Sequence, residues 1–275
     1  MQASLLLTLA LLGVVSANNL ERRWIKIDTP AVFTPNPAFP YVWAWQHQDN
    51  SILETKKDSA SDDAVARVIL SGFASKANHS PVFHIRKSEV VPPSNDTSDF
   101  LSFAPYWWPN PEDPKAEWVK KDGEINPDIL KLTCQAELSA MTASTRMSVT
   151  QGLLNPTDTA SLAHASRQLH AWFVDPELRM KPNVNYGQVV RNADPSTWKG
   201  RFEGILSVRQ LAFVPSTVEL LEKIYPQWTA QDTKGVKDWF TEFLQWLLNP
   251  PFQPEENTSK NNHRTYWACQ VVEYQ

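Results

Sequence analysis

Residues 126–176 read NPDILKLTCQAELSAMTASTRMSVTQGLLNPTDTASLAHASRQLHAWFVDP, and their pattern decides the fold class. Asn126 before Pro127 is a helix N-cap followed by proline at the first helical position, where its missing N–H costs nothing. The pattern predicts a helix to about Gln151. Asn155-Pro156 repeats the start signal. The next helix carries Leu162, Ala163, Leu169, Trp172 and Phe173 and stops at Asp175-Pro176, because a residue before proline leaves the α region. Two helices joined by a short turn make a helical hairpin. Upstream, residues 61–75 read as a helix with Val65, Val68, Ile69 and Phe73 on one stripe. Downstream, two short helices are expected at 202–214 and 216–225, broken at Pro215. Residues 230–248 form a strong amphipathic helix through Val236, Trp239, Phe240, Phe243, Leu244 and Leu247, stopped by Asn249-Pro250-Pro251. A last helix is expected to start near Asn261 and to run to the C-terminus. No stretch alternates as several β-strands would. The expectation is one all-α domain of helical hairpins joined by long aromatic loops.

Composition narrows the function. The chain has 275 residues and a net charge of −4, which argues against nucleic acid as the main partner. Glycine is scarce at 8, and neither GxGxxG nor GxxxxGK[ST] occurs, so a phosphate-cradling loop is not expected. Proline at 21 and tryptophan at 12 are rich. Tryptophan faces stack on sugar rings, which suits a carbohydrate binder, although about two-thirds of them are expected in the core.

Leu5 to Val15 is an apolar run followed by the small-residue site Val15-Ser16-Ala17, although its n-region holds no Lys or Arg. We read residues 1–17 as a signal peptide and expect a secreted protein, periplasmic in a bacterium. No other segment is apolar enough to span a membrane, so no membrane partner is expected. Cys134 and Cys269 are the two cysteines, and their pairing stays open. The six histidines are scattered without zinc-ligand spacing, so no metal and no cofactor are expected. Asn95-Asp96-Thr97, Asn257-Thr258-Ser259 and the weaker Asn78-His79-Ser80 are glycosylation sequons. Residues 18–94 hold an irregular segment and the first helix, and 95–275 the main helical domain. Within a proline-rich loop region at 81–126 lie Tyr106, Trp107 and Trp108. A long loop inside a compact domain is usually functional.

Four blocks carry chemistry. Phe103-Ala104-Pro105-Tyr106-Trp107-Trp108-Pro109-Asn110-Pro111 is followed by Lys120-Lys121-Asp122. The second runs from Trp172-Phe173-Val174-Asp175-Pro176 through Arg179-Met180-Lys181-Pro182-Asn183-Val184-Asn185-Tyr186-Gly187-Gln188. The third is Gly200-Arg201-Phe202-Glu203-Gly204-Ile205-Leu206, and the fourth Asn261-Asn262-His263-Arg264-Thr265-Tyr266-Trp267. In order and spacing, over roughly residues 95–270, they resemble the alginate lyase superfamily, polysaccharide lyases of the helical-toroid type shared with chondroitin AC lyase. The resemblance implies an incomplete (α/α) toroid with a deep cleft. It also implies β-elimination on an acidic polysaccharide. A monomer is expected. Such chemistry needs groups that neutralise the uronate carboxylate, and a base and an acid for the proton transfers. The resemblance gives Asn262 the neutralising role and His263 the proton transfer. Read from the residues alone, an Asn at a helix start with a His beside it is also an ordinary cap.

Arg179 and Arg201 are candidate carboxylate clamps. Asn183, Asn185, Tyr186 and Gln188 either line the cleft or cap their own loop. Tyr106, Trp107 and Trp108 are expected to share two jobs, walling the cleft and anchoring the loop. Relatives carry a further catalytic Tyr and an Arg well downstream of the Asn-His pair, so the resemblance implies a C-terminally truncated toroid here. Arg264 stands where a small residue is usual, and Ser207 where an acid is typical. Two other readings stay open. One is a catalytically impaired fragment or acidic-polysaccharide-binding module of the same family. The other is a glycoside hydrolase using two of Asp175, Asp194 and Glu203.

Overall fold

The computed structural model describes residues 80–113, 115–251 and 261–275. The expected signal peptide at 1–17, the irregular segment at 18–57, the helix at 61–75 and the sequons at Asn78 and Asn257 lie outside the described residues. Within them the chain is mostly helical. Short strands β1 (Leu101–Phe103), β2 (Trp107–Trp108) and β3 (Val119–Lys120) precede the helices α1 (Asp128–Lys131), α2 (Gln135–Leu154) and α3 (Thr159–Leu169). A π-helical turn at His170–Val174 extends α3, and β4 (Tyr186–Val189) follows. A 3-10 segment at Phe202–Phe213 leads into α4 (Val214–Ile224), α5 (Ala230–Leu248) and α6 (Asn262–Tyr274). Among the described residues no helix is long and apolar enough to cross a membrane.

The α2–α3 hairpin is present, with two differences from the sequence reading. The helix expected from Asn126 is interrupted at 132–134. Thr133 turns its hydroxyl back to donate to the Ile129 carbonyl, and the same oxygen accepts from the Gln135 N–H. A side chain that serves the backbone in this way competes with the helical ladder. The second helix starts at Thr159, because Asp158 supplies the cap by accepting from the Ser161 N–H at 3.0 Å. Asn155 instead closes the end of α2.

The core lies where α2, α3, the 3-10 segment, α4, α5 and α6 meet. Helix α5 buries Val236, Trp239, Phe240, Phe243 and Leu247 along one stripe. Its start is fixed by a capping box between Thr229 and Asp232. Trp239 stacks on Phe243 and meets Phe173 and Phe240 edge-on, and its indole N–H donates to the Met180 carbonyl. Tyr274 of α6 packs on Phe240 and Phe243. Of the nine described tryptophans, Trp172, Trp198, Trp228 and Trp239 are buried, and Trp246 and Trp267 pack against the core. Cys134 and Cys269 are both free thiols, and burial pushes Cys134 up to about 12.

The strands are an addition to the all-helical expectation, at two to four residues each too short for alternation to show. β1 pairs in parallel with β4, and β2 pairs antiparallel with β3, Trp107 facing Lys120 and Trp108 facing Val119. A second apolar cluster of Leu101, Phe103, Ile129, Val189 and Trp198 sits under these strands.

Candidate active-site cleft

A cleft of about 600 Å³ opens between the strand region and the first turns of the 3-10 segment and α6. Tyr106, Trp107, Lys120, Asp122 and Ile125 come from the β2–β3 hairpin and its flanks. Gln188 comes from β4, Arg201 from the residue before the 3-10 segment, Glu203, Ser207 and Arg209 from that segment, and Asn262 and His263 from α6. Three of the four blocks meet here through these residues, and the second meets them through Gln188.

Each side chain has a local reason for its place. Asn261 caps α6, its side-chain oxygen accepting from the His263 N–H at 2.9 Å. The capping duty therefore falls on Asn261, and Asn262 and His263 occupy the first helical turn, at the cleft. The helix dipole there favours an anion. Arg201 precedes the 3-10 segment, and its guanidinium is paired with the Glu203 carboxylate.

Gln188 has φ +49, a left-handed conformation uncommon for a residue with a Cβ. Buried groups hold it there. Its N–H donates to the Ser102 hydroxyl at 2.8 Å, and Ser102 donates to Ser207 at 3.0 Å, both serines being buried. Gly187 and Gly204 touch backbone to backbone, since a Cβ on Gly187 would lie 2.6 Å from the Gly204 Cα. Only two glycines let β4 and the 3-10 segment approach so closely, and that approach sets Gln188 beside Arg201. Strain of this kind clusters at working sites.

The hairpin wall is tied down at both ends. Asn126, buried, donates its amide to the Trp107 carbonyl at 3.0 Å. Arg191 lies between the rings of Phe103 and Trp118, 4.2 and 3.9 Å from their centroids, and pairs with Asp128 at 2.8 Å. Tyr106 and Trp107 line the cleft. Trp108 anchors the hairpin, its indole N–H donating to the Glu124 carbonyl and Lys121 lying over its ring.

The other expected residues are placed elsewhere. Arg179 is exposed and is not among the lining residues. Asn183 accepts from the Asn185 N–H, the self-capping arrangement of a polar turn. Asn185 accepts from the Trp246 indole at 2.8 Å, tying the connector to α5. Tyr186 packs on the second apolar cluster. Asp175 and Asp194 cap their own turns, so neither offers the hydrolase reading a cleft carboxylate. Among the described residues no group of three or more His, Cys, Asp and Glu could hold a metal ion. The residues that sequence reasoning missed are Arg209 and the buried Ser102. A left-handed Gln after a glycine and a serine on a hydrophobic strand leave no motif.

Against known proteins, the family model described as alginate lyase matches residues 85–274. The fold is similar to the crystal structure of an alginate lyase from Bacteroides ovatus, with a TM-score of 0.75 and 26% sequence identity. That match covers 82% of this chain and 58% of the other, so the chain spans less than two-thirds of that relative. No curated protein matches the chain.

Proposed function

From the premise that the chain belongs to the alginate lyase family, we propose that it is a secreted polysaccharide lyase. It cleaves a uronic-acid-containing polymer, the class that includes alginate and glucuronan, by β-elimination. The observation that carries this reading is the convergence of Asn262, His263, Arg201, Gln188 and Tyr106 on one cleft.

The chemistry follows from what a uronate needs. The proton at C5 is weakly acidic while the neighbouring carboxylate keeps its charge. The Asn262 amide and the Arg201 guanidinium donate to that carboxylate and lower the cost of the enolate-like intermediate. His263 takes the C5 proton as general base. The C4–O bond then breaks, a C4=C5 double bond forms, and the leaving oxygen gains a proton from an acid in the cleft, a role we assign to Tyr106 because it lines the cleft. Gln188 orients the sugar and Trp107 walls the chain of sugars. The apolar run Leu5–Val15 and the Val15-Ser16-Ala17 site support secretion.

The test is ultraviolet absorbance of unsaturated product from a panel of uronic-acid polymers. The wild type gives a rise, and His263→Ala lowers its rate by roughly 10²–10⁴-fold with the thermal midpoint unchanged. Polymer binding without any rise in absorbance would replace the enzyme by a binding module.

A further inference from the structure

The 3-10 segment Phe202–Phe213 is 12 residues long, whereas runs beyond about four residues are uncommon. Its period of about three residues sorts the side chains into rows. Phe202, Ile205, Val208 and Leu211 form the row buried in the core. Gly204 and Ser207 form the row toward β4 and β1, through the Gly187 contact and the Ser102 hydrogen bond. Glu203, Leu206 and Arg209 form the third row, and all three line the cleft. In an α-helix the same positions would turn by about 120° from first to last, and the row would not follow the cleft. At about 2.0 Å per residue the row sets Arg209 about 12 Å along the cleft from Glu203, the partner of Arg201.

Arg209 differs from the other lining cations. Lys120 lies 3.5 Å from Asp122, and Arg201 is in contact with Glu203. Arg209 donates from Nη1 to the Leu206 carbonyl at 2.6 Å, and among the described residues no acid pairs with it. The side chain is exposed, so the rest of its donor fork is open to a carboxylate, which it can hold by two parallel hydrogen bonds. Resting on the lyase reading above, we propose that Arg209 is a second uronate site, which binds the carboxylate of a sugar further along the same polymer. Arg201 and Asn262 hold the reacting carboxylate, and Leu206 offers the intervening sugars an apolar surface. The cleft then grips a run of uronic acids at two separated carboxylates. Binding at the remote one holds the reacting sugar in register with His263.

Arg209→Gln removes the charge and keeps an amide donor for the Leu206 carbonyl, and Arg209→Lys keeps the charge without the fork. The experiment measures kcat and KM of wild type and both variants on oligouronates of increasing length and on the polymer, at low and high salt. The wild-type kcat/KM is expected to step up once the oligomer is long enough to reach Arg209. Arg209→Gln is expected to lose about tenfold on the polymer, mainly as a raised KM, and to lose the step with length. Its KM should also depend less on salt, because one ionic contact is gone. Arg209→Lys should lose about threefold on the polymer. A loss equal at every length, or one in kcat with KM unchanged, would make Arg209 a support for its own segment and overturn the proposal. Thermal midpoints check the fold of both variants. Should Arg209→Gln fail to fold, a wild-type KM for Arg209→Lys on the polymer overturns the proposal, and a raised one upholds it. Should the wild type release no unsaturated product, the lyase reading itself fails. Calorimetric binding of the same oligomers then reads the second site. An affinity step with length that Arg209→Gln loses upholds it, and equal affinities overturn it.

Discussion

Helix α5 and the β2–β3 wall solve opposite problems. Helix α5 is held by area: five apolar side chains on one stripe, three of them aromatic, bury themselves against Phe173 and Tyr274. The wall has strands of two residues and is held by single contacts, which are Arg191 between two rings, Asn126 on the Trp107 carbonyl, and Trp108 on the Glu124 carbonyl. Burial is non-directional and tolerant, whereas a hydrogen bond or a stacked guanidinium fixes one geometry. The stability of the molecule is therefore expected to reside in the helices and the positioning of the cleft in a few polar staples.

The most severe way to break that contrast is Trp239→Ala. Truncating a buried Trp at the centre of the aromatic cluster, and leaving the Met180 carbonyl without its indole donor, should cost about 3–5 kcal/mol. Denaturant unfolding checks the figure, and the molecules still folded should keep a normal KM. A changed KM would mean that core and cleft are not separate.

Arg191→Ala should cost less stability, about 2–3 kcal/mol, because Asp128 is partly exposed and keeps some solvation. Its larger effect should be on function. With the hairpin released from Phe103 and Trp118, KM is expected to rise more than kcat falls. Arg191→Lys should rescue little, since an ammonium cannot stack between two rings. Rescue by Lys would reduce the staple to a point charge.

Ser207→Ala comes next. It removes the acceptor of the Ser102 hydroxyl, and a buried hydroxyl left without its partner costs about 1–2 kcal/mol. The strained Gln188 loses its support two hydrogen bonds away, so the rate in the absorbance assay should fall several-fold, beyond what that loss of stability explains. An unchanged rate would show that Gly187 and Gly204 alone hold the turn.

The same contrast explains what could be read from sequence. Helix α5 was legible to the residue, because Val236, Trp239, Phe240, Phe243 and Leu247 write their burial in a 3.6-residue period. The break at Thr133 and the true start at Asp158 were not, since each depends on one side chain choosing a backbone partner. In the cleft, Asn262, His263, Arg201, Gln188, Tyr106 and Trp107 are legible from their sequence blocks and share one cavity. Asn183, Asn185 and Tyr186 sit in the same block yet serve the loop, α5 and the second apolar cluster. A polar residue on a connector says that it needs a partner, not which one. The Ser102–Ser207 relay links residues far apart in the chain, with no trace in local pattern.

The smallest expected effect belongs to a staple at the rim of the same region. Lys181 reaches Asp96 at 2.8 Å and Asp99 at 3.2 Å, joining the 94–99 turn to the connector before β4. The hydrogen bond from Lys181, helped by the Ser98 N–H, lowers Asp96 from 3.8 to about 2. A carboxyl depressed in the folded state stabilises it above its unfolded pKa. That contribution is full above pH 4 and is lost as the pH falls toward 2. Both partners are about 42% exposed, so solvent screens the pair and the effect should stay below about 1 kcal/mol. Asp96→Asn should therefore flatten the acid limb of thermal midpoint against pH between 4 and 2 and leave the neutral midpoint within a degree or so. Added salt should shrink the difference further. A neutral-pH loss as large as that of Ser207→Ala would place this staple with the buried ones. The contrast between area-held helices and contact-held loops would then extend to the surface.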